Sequence, residues 1–134
     1  MAVTGRCHCG AVGYTAEGEP QHHTLCHWED CRRCAGAPAV GWIAFKEAQL
    51  DVTGTPITYE SSGHGRRDFC GTCGTGLFYR NEAVLPGLVD IQSSTLDDAA
   101  NHVPAAHIQT AERLKWMTRL GDLPEYKRYP GMPE

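Results

Sequence analysis

The sequence predicts a mainly β domain of short strands with one or two short helices, and three observations carry that expectation. Segments that alternate between apolar and polar residues, or are apolar throughout, recur at close intervals. The chain's 15 Gly and 8 Pro punctuate it everywhere without gathering into a linker. Its 7 Cys, an odd number, argue for metal ligation over a disulfide framework and so for a staple that a small β core needs.

The elements follow in order. Val12, Tyr14 and Ala16 alternate with smaller or polar neighbours, as a half-buried strand does. A second strand is expected over 24–28. The stretch 39–45 is apolar on both alternating faces, which suits a central strand covered on both sides. Strands over 50–53, 57–61, 67–70, 77–80, 88–93 and 107–110 come next, many of them separated by Asn, Asp, Gly or Pro turns. One short helix is expected over 29–35, ended by Gly36 and Pro38. Another is expected over 95–101, with Thr95 as N-cap and Asp97 and Asp98 in its first turn. No repeat or low-complexity run divides the chain, so residues 1–134 are expected to form one domain with a modest core.

Composition excludes several classes of function. The formal net charge is −4 with every Cys counted as a neutral thiol. Four thiolates on one zinc ion would bring it to about −6. That sign disfavours nucleic acid, whose phosphates attract basic patches. Arg32 with Arg33, and Arg66 with Arg67, make two small basic pairs, expected to be solvated or to orient a small anion. No stretch approaches the roughly 20 apolar residues of a membrane span. The first residues lack the basic and apolar regions of a secretory signal, so the expected location is cytoplasmic, with no membrane partner.

Cys70-Gly-Thr-Cys73-Gly reads as a zinc knuckle. Two thiolates three residues apart on a tight turn face one ion, and glycine permits the positive φ such a turn needs. A knuckle gives two ligands where a closed tetrahedral site takes four. Cys7-His8-Cys9-Gly10 is the matching pair. Four thiolates select zinc or, less often, iron. A redox Cys-x-x-Cys is the weaker reading of Cys70 and Cys73, because the residues that follow read as strand.

The second set is Cys26, Cys31 and Cys34, three thiols within nine residues. They could supply three ligands to a second zinc and leave a fourth position for water or substrate, the layout of a catalytic site. If 29–35 is helical, Cys31 and Cys34 stand at i and i+3 on one face. The plainer alternative is that they are small buried residues without metal.

With both sets in view, the chain resembles the glutathione-dependent formaldehyde-activating (GFA) family, which includes centromere protein V. The likeness rests on Gly5-Arg-Cys-His-Cys-Gly-Ala-Val12, on Cys26-His-Trp-Glu-Asp-Cys31-Arg-Arg, and on Arg67-Asp-Phe-Cys-Gly-Thr-Cys-Gly-Thr-Gly-Leu77. Thr95-Leu-Asp-Asp98, Pro104-Ala-Ala-His-Ile108, Trp116 and Leu123-Pro-Glu-Tyr126 extend it towards the C-terminus. The resemblance implies a β-tent fold of several coiled antiparallel sheets, with the first cysteine set holding a structural zinc. It also implies a second zinc on a Cys-x-Cys-x-x-Cys motif, where glutathione and formaldehyde adducts are handled. The outer cysteines of that motif are Cys26 and Cys31; its middle one is Trp28 here, and Cys34 is the available substitute.

The expected activity by resemblance is that of a carbon–sulfur lyase acting on thiol adducts such as S-(hydroxymethyl)glutathione. Its expected ligand is therefore a small-molecule thiol adduct, with glutathione as the type. Glu29 and Asp30 are the nearest carboxylates in sequence for acid–base work. Two other readings stand beside it: a zinc-stabilised binding module without catalysis, and a thiol redox sensor using Cys31 and Cys34.

Overall fold

The apolar stretch after Ala39 becomes the strand on which the rest is hung. In a computed structural model that describes residues 2–133, it runs over Val40–Lys46. Trp42 and Val40 face one way, into a cluster with Cys26 and Cys31, while Ile43 and Phe45 join the main core. Burial on both sides explains why this segment carries no polar alternation.

Among the described residues there are ten strands and one α-helix. They are β1 (Ala2–Arg6), β2 (Gly13–Glu17), β3 (His22–Cys26), α1 (Glu29–Ala35), β4 (Val40–Lys46), β5 (Leu50–Thr53), β6 (Ile57–Glu60), β7 (Gly65–Phe69), β8 (Gly76–Asn81), β9 (Leu88–Gln92) and β10 (Ala106–Ile108). A three-stranded sheet has the order β1-β2-β5, and a seven-stranded sheet the order β10-β3-β4-β9-β8-β7-β6. Tyr14 and Ala16 of the first and Ile43, Phe45, Phe78, Val89 and Ile91 of the second share one core. The mainly β expectation is met.

Three differences from the expected elements have physical causes. Strand β1 was not expected, because Ala2–Arg6 has little apolar alternation; it pairs along its whole length with β2, from Ala2 opposite Glu17 to Arg6 opposite Gly13. The helix expected over 95–101 is reduced to 3₁₀ turns at Ser93–Thr95 and Ala99–Asn101. Thr95 does not cap a helix; its hydroxyl donates to the Gln92 carbonyl at 2.7 Å. The third difference is that β10 pairs with β3 in parallel, whereas the sheets were expected to be antiparallel throughout.

The β10 edge carries a titratable contact. His27, 1% exposed, lies with its Nε2 2.9 Å from Nδ1 of His107. Burial, with the charges of His107 and Arg113, pushes the His27 pKa down. A depressed imidazole contributes stability that is complete above its unfolded value near 6.5 and is lost as pH falls through the folded one. Stability should therefore decline below about pH 6.5, and His27→Gln should flatten that decline in denaturant titrations at stepped pH.

Candidate metal centre and adjoining cleft

Two tight turns build the first site. After β1, the Cys7 amide donates to the Val12 carbonyl at 2.9 Å, and the Gly10 amide closes onto the Cys7 carbonyl at 3.2 Å. After β7, the Cys70 amide donates to Thr75 O at 2.9 Å and the Gly74 amide to Cys70 O at 2.8 Å. Gly10 and Gly74 both adopt φ of +82°, the left-handed turn that a side chain would oppose. The turns are joined by the His8 amide, which donates to the Thr75 hydroxyl at 3.1 Å.

This arrangement brings Cys7, Cys9, Cys70 and Cys73 together. Among the described residues they are the one group of three or more potential ligands whose ligand atoms all lie within 4.8 Å of one another. The Cys7–Cys9 and Cys9–Cys70 sulfur separations are both 3.7 Å. A tetrahedron with metal–sulfur bonds of about 2.3 Å has edges of about 3.8 Å, so the donor set fits a four-coordinate ion. Backbone amides point at the sulfurs: Val12 N is 3.3 Å from Cys7 Sγ, and Thr72 N is 3.4 Å from Cys70 Sγ. Such donors spread the thiolate charge. The hydroxyl and amide of Thr75 pull the Cys73 thiol down to about 5.

The second cysteine set divides. Cys26 ends β3 and Cys31 lies in α1, both buried, with sulfurs 3.7 Å apart. Cys34, one helical turn further on, is exposed and joins no cluster with them. Where a third ligand was expected, the structure places a cation instead. The Arg67 guanidinium is 3.6 Å from Cys31 Sγ. It is 4.8 Å from the Tyr79 ring centroid, 5.9 Å from Trp28 and 6.0 Å from Trp42. Cys26 donates to Cys31; that bond first, then Arg67, pulls the Cys31 thiol down to about 6. The same bond, with burial, pushes Cys26 well up.

Beside this pair opens a cleft of about 510 Å³, lined by Arg33, Cys34, Tyr59, Arg67, Asp68, Phe69, Gly74, Gly76, Phe78 and Gln92. Glu29 is absent from its walls and instead pairs with Arg33 at 2.9 Å across one turn of α1. Asp30 lies outside it as well. The carboxylate on the wall is Asp68, which accepts from the Thr58 hydroxyl at 2.7 Å and from Arg80 at 2.6 Å.

Residues 2–112 match the family described as glutathione-dependent formaldehyde-activating enzyme. The chain belongs to the GFA family. Over 75 residues it is 29% identical to an uncharacterized lyase of Schizosaccharomyces pombe, a stretch that is 56% of this chain and 55% of that protein. The chain thus spans about half the length of the curated relative it matches. A crystal structure of a Rhodobacter sphaeroides protein aligns with a TM-score of 0.60 at 22% identity, covering 75% of this chain and 97% of that one. At that identity the likeness is one of fold.

Within the GFA family the second metal is expected on three thiolates, and the residues present do not fit it. Trp28 stands at the middle position, half-buried against the cluster of Cys26, Cys31, Val40 and Trp42. A guanidinium hydrogen-bonded to Cys31 opposes a divalent ion at the same sulfur. The residue whose setting sequence reasoning missed is Arg67, expected to be solvated or to orient a small anion and in fact 7% exposed beside Cys31. The signal available was the strand expected over 67–70, which takes in Arg67; successive residues of a strand face opposite sides, so a charged residue there can turn to the covered face.

Proposed function

We propose that this GFA-family chain is a zinc-stapled carbon–sulfur lyase that forms or splits the adduct of a small thiol with formaldehyde, with S-(hydroxymethyl)glutathione as the type substrate. The observation that carries this reading is the cleft, which has the basic residues Arg33 and Arg67, the aromatic residues Phe69 and Phe78, and Asp68 in its lining. Zinc on Cys7, Cys9, Cys70 and Cys73 would fix the turn from which Gly74 and Gly76 form one rim, and would supply no chemistry beyond that. Adduct formation makes one C–S bond and moves the thiol proton to the aldehyde oxygen. Arg33, whose side chain is largely exposed, would favour the thiolate and hold a carboxylate of a peptide thiol. The aromatic walls exclude water, and Asp68 stands on the wall as the group to carry the proton.

The test is the rate of adduct formation from glutathione and formaldehyde with zinc-loaded protein. A rate that rises in proportion to protein concentration above the buffer reaction supports the lyase. A rate equal to that of buffer overturns it. The second reading, a binding module without catalysis, is favoured by Trp28 at a ligand position; it predicts saturable glutathione binding with no rate above buffer.

A further inference from the structure

The pair under α1 has no use in the mechanism above. Its two sulfurs are in van der Waals contact at 3.7 Å, one of them bonded to a buried cation, and among the described residues no third ligand stands with them to complete a metal site. Arg67 has no carboxylate partner among the described residues; Asp68, its neighbour in sequence, is bonded to Thr58 and Arg80. A guanidinium buried among three aromatic rings and lacking a carboxylate is costly unless an anion faces it. The Cys31 sulfur is the group in that position.

We propose that Cys26 and Cys31 form a metal-free, reversible dithiol–disulfide pair, oxidised by small hydroperoxides, in which Cys31 reacts first and Cys26 resolves. The Cys31 thiolate attacks the peroxide, takes its terminal OH as a sulfenic acid and releases an alkoxide, which picks up a proton. The Cys26 sulfur then displaces that OH; the Cys26 proton leaves with it as water, and a disulfide forms. The two sulfurs together give up two electrons, and the O–O bond is reduced. A bond of about 2.05 Å asks the sulfurs to close by less than 2 Å, within reach of side-chain rotation in a six-residue loop. Arg67 is the positioning residue: it favours the reactive thiolate without touching the oxidant. The pair differs from the expected sensor of Cys31 with Cys34 in its partner: Cys26 Sγ stands 3.7 Å from Cys31 Sγ, while Cys34 is exposed and lines the cleft. The proposal does not depend on the lyase reading.

The test uses the full chain, zinc-loaded, treated with hydrogen peroxide at low molar excess and mapped by non-reducing mass spectrometry. One disulfide linking Cys26 to Cys31, reversed by dithiothreitol with the zinc retained, is the expected product. Cys26→Ser should accumulate a dimedone-trapped sulfenic acid on Cys31. Arg67→Gln should slow oxidation at pH 7 by about tenfold and move its pH midpoint upward, and Arg67→Lys should restore part of the rate, which a purely structural role would not do. Should a variant fail to fold, the wild-type map decides. Peroxide that leaves Cys26 and Cys31 both reduced, a bond from Cys31 to Cys34, or a second tightly held zinc shielding the pair would each overturn the proposal.

Discussion

Cys70→Ser should yield a chain that no longer unfolds cooperatively, and stripping the metal with a strong chelator should do the same to the wild type. Cys70 is 1% exposed, and its sulfur stands 3.7 Å from that of Cys9, sixty-one residues earlier in the chain. An ion held there would therefore close a long loop as well as two short turns. A structural zinc contributes about 10 kcal/mol or more to folding, while a whole domain of this kind is stable by about 5–15 kcal/mol. Removing one of four ligands, and one that two backbone amides also point at, consumes most of that margin. Thermal melts followed by circular dichroism, alongside metal content per chain, give the readout. Cys34→Ser is the control: its side chain is exposed, and the expected change is within about 0.5 kcal/mol. A soluble Cys70→Ser protein with an unchanged melting temperature would falsify the structural role.

The same four cysteines show why part of this protein could be read from its sequence. Ligand spacing and glycine placement are local properties, so the two turns were visible in residues 7–10 and 70–74. Helix α1 was visible for the same reason: Gly36 and Pro38 mark its end in the sequence, and Gly36 caps it with a φ of +64°. What could not be read depends on what lies across from a residue. Arg66 and Arg67 look alike in sequence, yet Arg67 stands opposite Tyr79 on β8 and between two tryptophans, and only that setting makes it the cation of the thiol pair. The division of the second cysteine set has the same origin. Cys26 meets Cys31 because β3 runs beside β4 and α1 folds back over them, which a spacing of five residues does not specify.

Strand β1 was hidden in the sequence, and Gly5→Val should show how much rests on it. Gly5 pairs with Tyr14 across the sheet and bridges to Leu96. A Cβ added there would run into the Tyr14 hydroxyl and its ring carbon, and would lie 2.6 Å from the Thr95 carbonyl oxygen. None of these can yield easily. Tyr14 is 4% exposed, with its ring edge-on to Phe78 at 5.5 Å. Its hydroxyl is 2.7 Å from that of Thr95. Because Thr95 already donates to Gln92 O, Tyr14 must be the donor in that bond. Displacing the ring therefore adds overpacking to an unpaired buried hydroxyl, together about 3–5 kcal/mol. For a domain of this size that is a fall in melting temperature of roughly 10–20 °C. The damage should reach the metal, since Cys7 follows only two residues later, and zinc should be lost at a lower chelator concentration than from the wild type. Gly121→Val, where an added Cβ meets nothing within 4 Å, is the matched control. Tyr14→Phe should not rescue Gly5→Val, because the ring carbon collides as well as the hydroxyl. Tyr14→Leu removes both obstacles, so the double variant should lose less than the sum of the two single losses. Strict additivity in that cycle would mean that the strand is held by something other than this contact.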